Sequence, residues 1–437
     1  MHFDKIKANP TKRLFINILT QDVLLKPAIL DLIDNSIDSY TRKKFQDRRK
    51  IEIIANVNEF SIFDDCGGIA LDILKEQVFR FGSKVDKLDN PTLGMYGIGL
   101  KRSIFKLGKK IKLETHDGVD YSLMDLNVTE WEKDDNSWEI PFETEKIDLV
   151  DQKAYTKISV SELTSETSNK LNSDVFINDL IETIKRSYCL IMKDNIDIYI
   201  NNNKLVPLEL YVSQDDNYKP SVILDNYDGI SIRVICFIEP SKGTRLKNAI
   251  NERGWNLFCN NRLILANDIS ELTGWKGSKD DMTSLPKYHS LFNEFRGMVF
   301  LIANNPFKLP LNTSKTGLNT ENENYHYILN LMVKAARPII DYIYEKNSKE
   351  SEEIQVIEQQ IADKDDVTFI AKPIDIINFN SNVVFKAPDV KAKAIPKATI
   401  TYSKDKKLVE TLMDKLNAGS YKEVGEKTFD YYMLNEM

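Results

Sequence analysis

The chain reads as an α+β protein: a two-layer α/β sandwich, a second α/β domain, and a small C-terminal strand-helix-helix unit. Three observations predict this. Apolar residues over 12–46 recur at threes and fours, the helical period. The segments after them alternate apolar and polar, the period of half-buried strands. A second strand-rich block then follows a helix near residue 190, as expected when 437 residues exceed what one compact core can hold.

In order, Leu14, Ile18, Leu24, Leu25, Ile29, Leu32, Ile33 and Ile37 predict one or two helices, with Pro27 at a helix start or a kink. IEIIANV and EFSIFDD read as two strands, and LDILKEQVFRFG as a short helix ended by Gly82. A Gly-rich stretch at 94–99 precedes a helix from Leu100 to about Leu107. IKLETHDG, GVDYSLMDL, SWEIPFE and YTKISVSEL are expected as strands of one sheet under those helices. A helix at 174–192 leads into the second strand-rich block, which a long amphipathic helix near 322–347 closes, Pro338 being its expected kink.

The expected domains are 1–190, 191–347, a charged helix and linker over 348–397, and the C-terminal interaction or dimerisation module over 398–437. That last unit carries Leu408, Leu412 and Leu416 on one helix stripe and Val424, Phe429 and Tyr432 on the next. It reads either as a ribbon-helix-helix-like dimer unit, with Thr399, Thr401 and Lys404 on its strand, or as a protein-docking module, the simpler of the two.

Composition narrows the class. At 42% apolar and 29% charged, the chain is neither collagen-like, nor largely disordered, nor membrane-spanning, and no apolar run approaches the roughly 20 residues a spanning helix needs. The N-terminal residues lack a signal-peptide pattern, so a cytoplasmic chain is expected. Cys66, Cys189, Cys236 and Cys259 are widely separated and the four His are scattered, which argues against a disulfide framework or a zinc site and for four buried small hydrophobes.

The formal net charge of −7 hides a local asymmetry. Residues 114–151 hold 13 Asp and Glu against 2 Lys, whereas 41–50 hold 6 Lys and Arg against Asp47. The basic run either meets nucleic-acid phosphates or is a solvated helix face. Solvation is the ordinary reading of the acidic stretch.

Three stretches carry chemistry. In LDLIDNSIDS, residues 30–39, Asp31, Asn35 and Asp38 fall at i, i+4 and i+7, one polar stripe amid apolar neighbours. Buried there, such groups require partners, because leaving them unpaired costs several kcal/mol. In SIFDDCGGIA, residues 61–70, a strand runs into an acidic pair and two glycines, so a carboxylate stands at a sharp turn. In GMYGIGLK, residues 94–101, three glycines precede a helix, an arrangement that lets main-chain N–H groups meet an anion. The spacing is not GxxxxGK[ST], so this is no Walker-type loop.

In this order, the acidic-xxx-Asn helix, the strand end and the GxxGxG loop resemble the GHKL ATPase superfamily, closest to its MORC-like branch. GMYGIGLKRSIFKLG, residues 94–108, is similar to the MORC lid and the helix after it. GWNLFCNNRLI, residues 254–264, and PFKLPLNTSKTGL, residues 306–318, resemble the family's transducer domain. The resemblance implies a Bergerat-type ATP-binding domain, a transducer-like domain, and ATP and Mg²⁺ as ligands.

Residue by residue, it implies Asp31 as the general base for the attacking water and Asn35 as the Mg²⁺ ligand. Asp64 would accept from the adenine amino group, with Gly68 making room and Thr156 nearby. Gly94, Gly97 and Gly99 would cradle the phosphates and Lys101 would pair with them. Lys315 would reach the γ-phosphate from the second domain.

Three positions depart from the family pattern. Asp31 stands where Glu is usual, Cys66 replaces the first Gly of DxGxG, and Tyr155 replaces the Gly before the adenine-side Thr. The first bears on turnover, since a misplacement of about 1 Å costs roughly 10²-fold in rate.

The resemblance implies an ATPase switch that homodimerises through its N-terminal domain and clamps DNA or a partner protein. A nuclease is one such partner, and prokaryotic relatives are associated with restriction and anti-phage defence. A chaperone-type ATPase acting on protein clients and a non-hydrolysing ATP sensor are the alternatives.

Overall fold

The computed structural model describes residues 10–80, 90–94, 97–147, 153–213, 218–239, 250, 253–278, 281–354, 371–373, 379–387 and 400–436. It divides into two compact units, Met1–Asp389 and Val390–Met437.

The larger unit opens with α1 (Lys12–Gln21) and α2 (Leu25–Lys43). Thr11 Oγ1 caps α1 by accepting from the Leu14 N–H at 3.3 Å. Pro27 lies in the first turn of α2, where its missing N–H removes no helical bond. Then follow β1 (Arg49–Ala55), β2 (Glu59–Asp64), the single turn α3 (Leu71–Ile73), a π-helical turn at Leu74–Val78, α4 (Gly99–Leu107), β3 (Gly108–His116) and β4 (Asp120–Asn127). The domain continues through α5 (Val128–Trp131), β5 (Glu143–Lys146), β6 (Tyr155–Leu163), α6 (Ser165–Leu171), α7 (Asp174–Ser187), α8 (Cys189–Asp194), β7 (Ile196–Ile200) and β8 (Asn203–Lys204).

These strands form one eight-stranded sheet in the order β5-β4-β3-β6-β2-β1-β7-β8. Only β1 and β7 pair in parallel. Period-2 alternation turns Ile51 and Ile53, Phe60 and Ile62, Ile111 and Leu113, and Ile196 and Ile198 towards the helices, all buried. Helix α2 is buried nearly all round, its aliphatic side chains joining the sheet's core cluster. Fully burying a side chain such as Ile29 or Ile33 contributes about 1.5–3 kcal/mol, so Ile33→Ala breaks this layer at its centre.

The second layered domain of this unit comprises β9 (Tyr211–Ser213), β10 (Ser221–Tyr227), β11 (Ile230–Ile238), β12 (Gly254–Cys259), β13 (Arg262–Asp268), β14 (Trp275–Gly277), β15 (Leu285–Pro286), β16 (Phe295–Ala303), α9 (Glu323–Ile354) and β17 (Ala371–Pro373). Its main sheet runs β10-β11-β16-β12-β13, with β12 and β16 parallel. Both are buried along their whole length but for Ile302, which is why they read as continuous apolar runs. Helix α9 covers this sheet with Ile328, Met332, Ala336, Ile339 and Ile343, and Pro338 lies inside it.

The mixed α+β architecture is as expected, and all four cysteines are free and buried. Among the described residues no helix is long and apolar enough to cross a membrane.

Several elements differ from expectation. The helix expected at 174–192 is two, because Tyr188 leaves helical geometry and sends its hydroxyl towards the Leu30 carbonyl at 2.9 Å and Asp34 Oδ1 at 2.8 Å. The strand expected at 137–143 instead runs Glu143–Lys146. Before it, Pro141 cannot donate to a ladder, and Trp138 packs edge-on against Trp131 with ring centres 5.7 Å apart. Parts of the expected linker are pinned: β17 pairs with β9, and Val383 and Lys386 bridge to Val222 and Lys219. Gly82, and residues 355–370, 374–378 and 388–397 of the linker, lie outside the described residues.

The smaller unit contains α10 (Lys406–Leu416) and α11 (Tyr421–Glu436). The strand expected ahead of them is not formed over residues 400–405, because a strand requires a ladder partner and no described residue supplies one. Asp405 instead caps α10, accepting from the Lys407 N–H at 2.9 Å. Residues 398 and 399 lie outside the described ones. Val424 is buried, whereas Leu408, Phe429 and Tyr432 are exposed.

Candidate functional site

Helix α2 brings Asp31, Asp34, Asn35 and Asp38 onto one stripe, and the three carboxylates are buried. At this depth each charge requires a partner, and each partner comes from elsewhere in the chain. Asp31 Oδ2 accepts from Arg102 of α4, with Nε at 2.8 Å and the guanidinium's NH2 group closer still. Asp38 accepts two main-chain N–H groups, from Leu93 and Gly94, each at 2.7 Å. Burial pushes the Asp38 carboxyl up, against the pull of Arg42 and Lys315. The Asn35 amide is different: its Nδ2 is buried without a hydrogen-bond partner.

The end of β2 forms a second cluster beside the same helix. Ser36 donates to Asp64 Oδ2 at 2.7 Å, and the Cys66 N–H donates to Asp64 Oδ1 at 3.0 Å. Burial raises the Asp64 carboxyl to about 6. Thr156 lies directly across the ladder from Asp64 and from Thr115. Gly68 sits at φ +64°, and a Cβ there would stand 2.1 Å from the His116 carbonyl oxygen, so only glycine lets the chain pass.

The Gly-rich loop comes down on the α2 stripe. A Cβ at Gly94 would meet Asp38 Oδ2 at 3.0 Å, and one at Gly99 would meet Asp31 Cγ at 3.4 Å. Gly97 has φ +61°. The N-cap residue of α4, Ile98, supplies no side-chain hydrogen bond, so the helix presents its N-terminal N–H groups and dipole beside Asp31. Met95, Tyr96 and residues 81–89 lie outside the described residues.

Among the described residues, Lys101 meets partners at and just after the π-helical turn. Its ammonium donates to the carbonyls of Val78 at 2.8 Å and Arg80 at 2.6 Å, and burial pulls it down to about 8. Its neighbour Arg102 takes the position at the stripe, since consecutive helical residues face about 100° apart.

Two side chains of the second domain complete the site. Lys315 Nζ donates to Asp34 Oδ2 at 2.7 Å and lies 3.1 Å from Asp31 Oδ1. Arg262, in β13, donates to the same Asp34 Oδ2. Burial pushes the Asp34 carboxyl up, but Arg262 and Lys315 outweigh it and hold it below its ordinary value. The converse holds for Lys315: burial pulls it down, and Asp34 and Asp31 more than restore it. Lys315 has φ +54°, an uncommon conformation for a non-glycine residue and a local strain of a kind that concentrates at functional positions. Asn260, in the turn before β13, donates to the Thr92 carbonyl at 2.7 Å.

The resulting site has acidic side chains on α2, a helix N-terminus and glycine N–H groups facing them, and a lysine inserted from a second domain. Residues 23–160 match the family of histidine kinase-, DNA gyrase B-, and HSP90-like ATPases. The match supports the GHKL superfamily, and with it ATP binding and hydrolysis in general. No curated protein matches the chain.

The GHKL-type region thus contains every expected site residue except Lys315, and the fold brings Lys315 to it. Asp31, Asn35, Gly94, Gly99 and Lys315 converge, and Asp64, Gly68 and Thr156 gather at the strand end. Lys101 is the exception, held at the π-helical turn. Sequence reasoning passed over Asp34, Arg102, Arg262 and Asn260, although Asp34 falls on the stripe at i+3 from Asp31 and was open to the same periodicity argument.

The residues fit a nucleotide with Mg²⁺. Asn35 lies on the α2 stripe between Asp31 and Asp38, which meet Gly99 and Gly94. Its Oδ1 is the atom that would take Mg²⁺, and its unpartnered Nδ2 is a donor suited to a phosphate oxygen. Mg²⁺ characteristically takes few protein ligands and completes its shell with phosphates and water.

Proposed function

We propose that the chain is a Mg²⁺-dependent ATP-binding and hydrolysing switch of the MORC-like branch. In this reading it homodimerises through its N-terminal domain and clamps DNA or a partner protein such as a nuclease, in anti-phage defence or restriction. The observation that carries the switch is the reach of Lys315, 281 positions from Asp34 in sequence, onto the Asp31–Asp34 edge of α2. A second domain that contributes a cation at this point senses whatever charge occupies the site.

In this reading Asp31 orients and deprotonates the attacking water, and Asn35 would hold Mg²⁺, which would supply positive charge against the phosphates. Asp64 accepts from the adenine amino group, Gly68 leaves room for the base, and Thr156 flanks it. The N–H groups of Gly97 and Gly99 cradle the phosphates, that of Gly94 joins them only by leaving Asp38 Oδ2, and Lys315 stabilises charge at the γ-phosphate. Lys101 reaches the phosphates only by leaving Val78 and Arg80, so its contribution belongs to a rearranged loop. The C-terminal helices serve as an interaction or dimerisation module, consistent with the exposure of Leu408, Phe429 and Tyr432.

A non-hydrolysing sensor is the second reading, favoured by one feature: the short Asp31 carboxylate is already engaged by Arg102. Phosphate release by the full chain with Mg²⁺ separates the two, with and without duplex DNA, beside Asp31→Asn and Lys315→Ala. Turnover that rises with DNA and falls at least 100-fold in both variants is the expected result. Nucleotide binding without phosphate release leaves the sensor, and turnover unchanged in Asp31→Asn overturns the assigned base.

A further inference from the structure

Lys315 is shared. Its ammonium contacts two buried carboxylates, Asp31 at 3.1 Å and Asp34 at 2.7 Å, and each of these has a cation of its own. Arg102 serves Asp31, and Arg262 serves Asp34. Tyr188 also donates towards Asp34 at 2.8 Å. Removing one partner from a buried pair ordinarily leaves an uncompensated charge and is strongly unfavourable. Here Lys315 can withdraw from both acids while neither is stranded. Arg262 is itself almost fully buried, at 2% exposure, and opens β13, where it pairs with Cys259 of β12, so the sheet holds its backbone independently of the Lys315 loop.

We propose that Arg262 is a positioning residue that makes Lys315 releasable: by keeping Asp34 paired, it lets the lysine exchange between the α2 carboxylates and the terminal phosphate of a nucleoside triphosphate. This inference rests on the nucleotide reading above and adds to it a residue outside the site's expected motifs. The exchange is one of ion pairs, with no bond made or broken. Without Arg262, Asp34 has Lys315 as its one cation among the described residues, and the lysine is pinned.

The test follows Lys315 through its charge partners in the full-length protein. Thermal stabilisation by a non-hydrolysable ATP analogue is compared with that by ADP, alongside steady-state phosphate release. In the wild type the analogue stabilises more than ADP does. In Arg262→Met that difference is lost and turnover falls at least tenfold, while ADP binding stays within about threefold. The double variant Asp34→Asn with Arg262→Met removes the charge that pins the lysine, and both the difference and turnover return to within about threefold of wild type. A purely structural role for Arg262 predicts no such rescue, so a double variant as impaired as Arg262→Met overturns the proposal. So does an Arg262→Met protein with wild-type behaviour.

Should Arg262→Met not fold, Arg262→Lys carries the argument. It retains the charge and is expected within threefold of wild type, and a tenfold loss there contradicts the charge-pairing account. A wild type that binds nucleotide without turning it over still yields the analogue-against-ADP comparison, so the exchange is judged independently of hydrolysis. A wild type that binds neither nucleotide sinks the underlying reading, a result distinct from any of these.

Discussion

Asn260 donates to the Thr92 carbonyl at 2.7 Å, tying the second domain to the residues that lead into the Gly-rich loop. The same side chain closes both ends of a contact with Ala303, donating to its carbonyl at 3.1 Å and accepting from its N–H at 2.9 Å. Asp38 holds the next two residues, Leu93 and Gly94, from the first domain. The entry to the loop is therefore gripped from both domains at three consecutive positions.

Asn260→Ala leaves the Thr92 carbonyl and both main-chain groups of Ala303 without this partner in a buried setting. Each lost buried hydrogen bond of this kind costs about 1–3 kcal/mol. The expected outcome is a loss of about 3 kcal/mol in urea unfolding, together with faster amide exchange at Leu93 and Gly94. Exchange at those amides as slow as in wild type would show that Asp38 alone secures the loop.

Gly68→Ala and Gly118→Ala form a matched pair. Both positions have positive φ, but a Cβ at Gly68 would lie 2.1 Å from the His116 oxygen, whereas at Gly118 nothing lies within 4 Å. Gly118→Ala therefore meets only backbone strain, about 1 kcal/mol. Gly68→Ala must also move the β3–β4 connection, and a cost of more than twice that is expected, with nucleotide binding lost. Equal midpoints for the two variants in chemical denaturation would contradict the crowding at Gly68.

Asp64 gives a pH dependence of opposite sign for stability and for binding. Its carboxyl is raised in the folded protein to about 6, so its protonated form is the favoured one. The associated stability is present below the ordinary carboxylate range and is lost as pH rises through about 6, roughly 3 kcal/mol in all. An adenine amino group donates more strongly to the ionised carboxylate than to the neutral acid, so nucleotide affinity moves the other way and is up to about tenfold weaker at pH 5 than at pH 7. Titration calorimetry across pH 5–8, beside Asp64→Asn, checks this. The variant is expected to flatten the profile, and a slope that survives the substitution places the titrating group elsewhere.

Much of the fold was legible because its signals are local. The 3.6-residue period marked α1, α2 and α4, and alternation marked β1, β2, β3 and β6. Where packing or pairing decides, the sequence was a poorer guide. The tryptophans and Pro141 overrode the alternation of 137–143, and residues 400–405 lacked a partner strand. The site divides the same way. Asp31, Asn35, Asp64 and the glycines stand in short motifs with recognisable spacing. Arg262 and Asn260 reach α2 and the loop from more than 160 residues away, and only the fold makes them neighbours. Lys101 and Arg102 are adjacent and both basic, so no pattern of residue types distinguishes them; the rotation of α4 does.

The central claim is that the α2 stripe and the glycine loop bind ATP with Mg²⁺, and equilibrium binding of ATP to the full chain tests it most directly. The account predicts saturable binding at one site per chain, weakened at least tenfold by chelation of Mg²⁺ and to a similar extent by Asn35→Ala, which removes the amide oxygen assigned to the metal. Absence of ATP binding, or binding indifferent to both Mg²⁺ and Asn35, would contradict it.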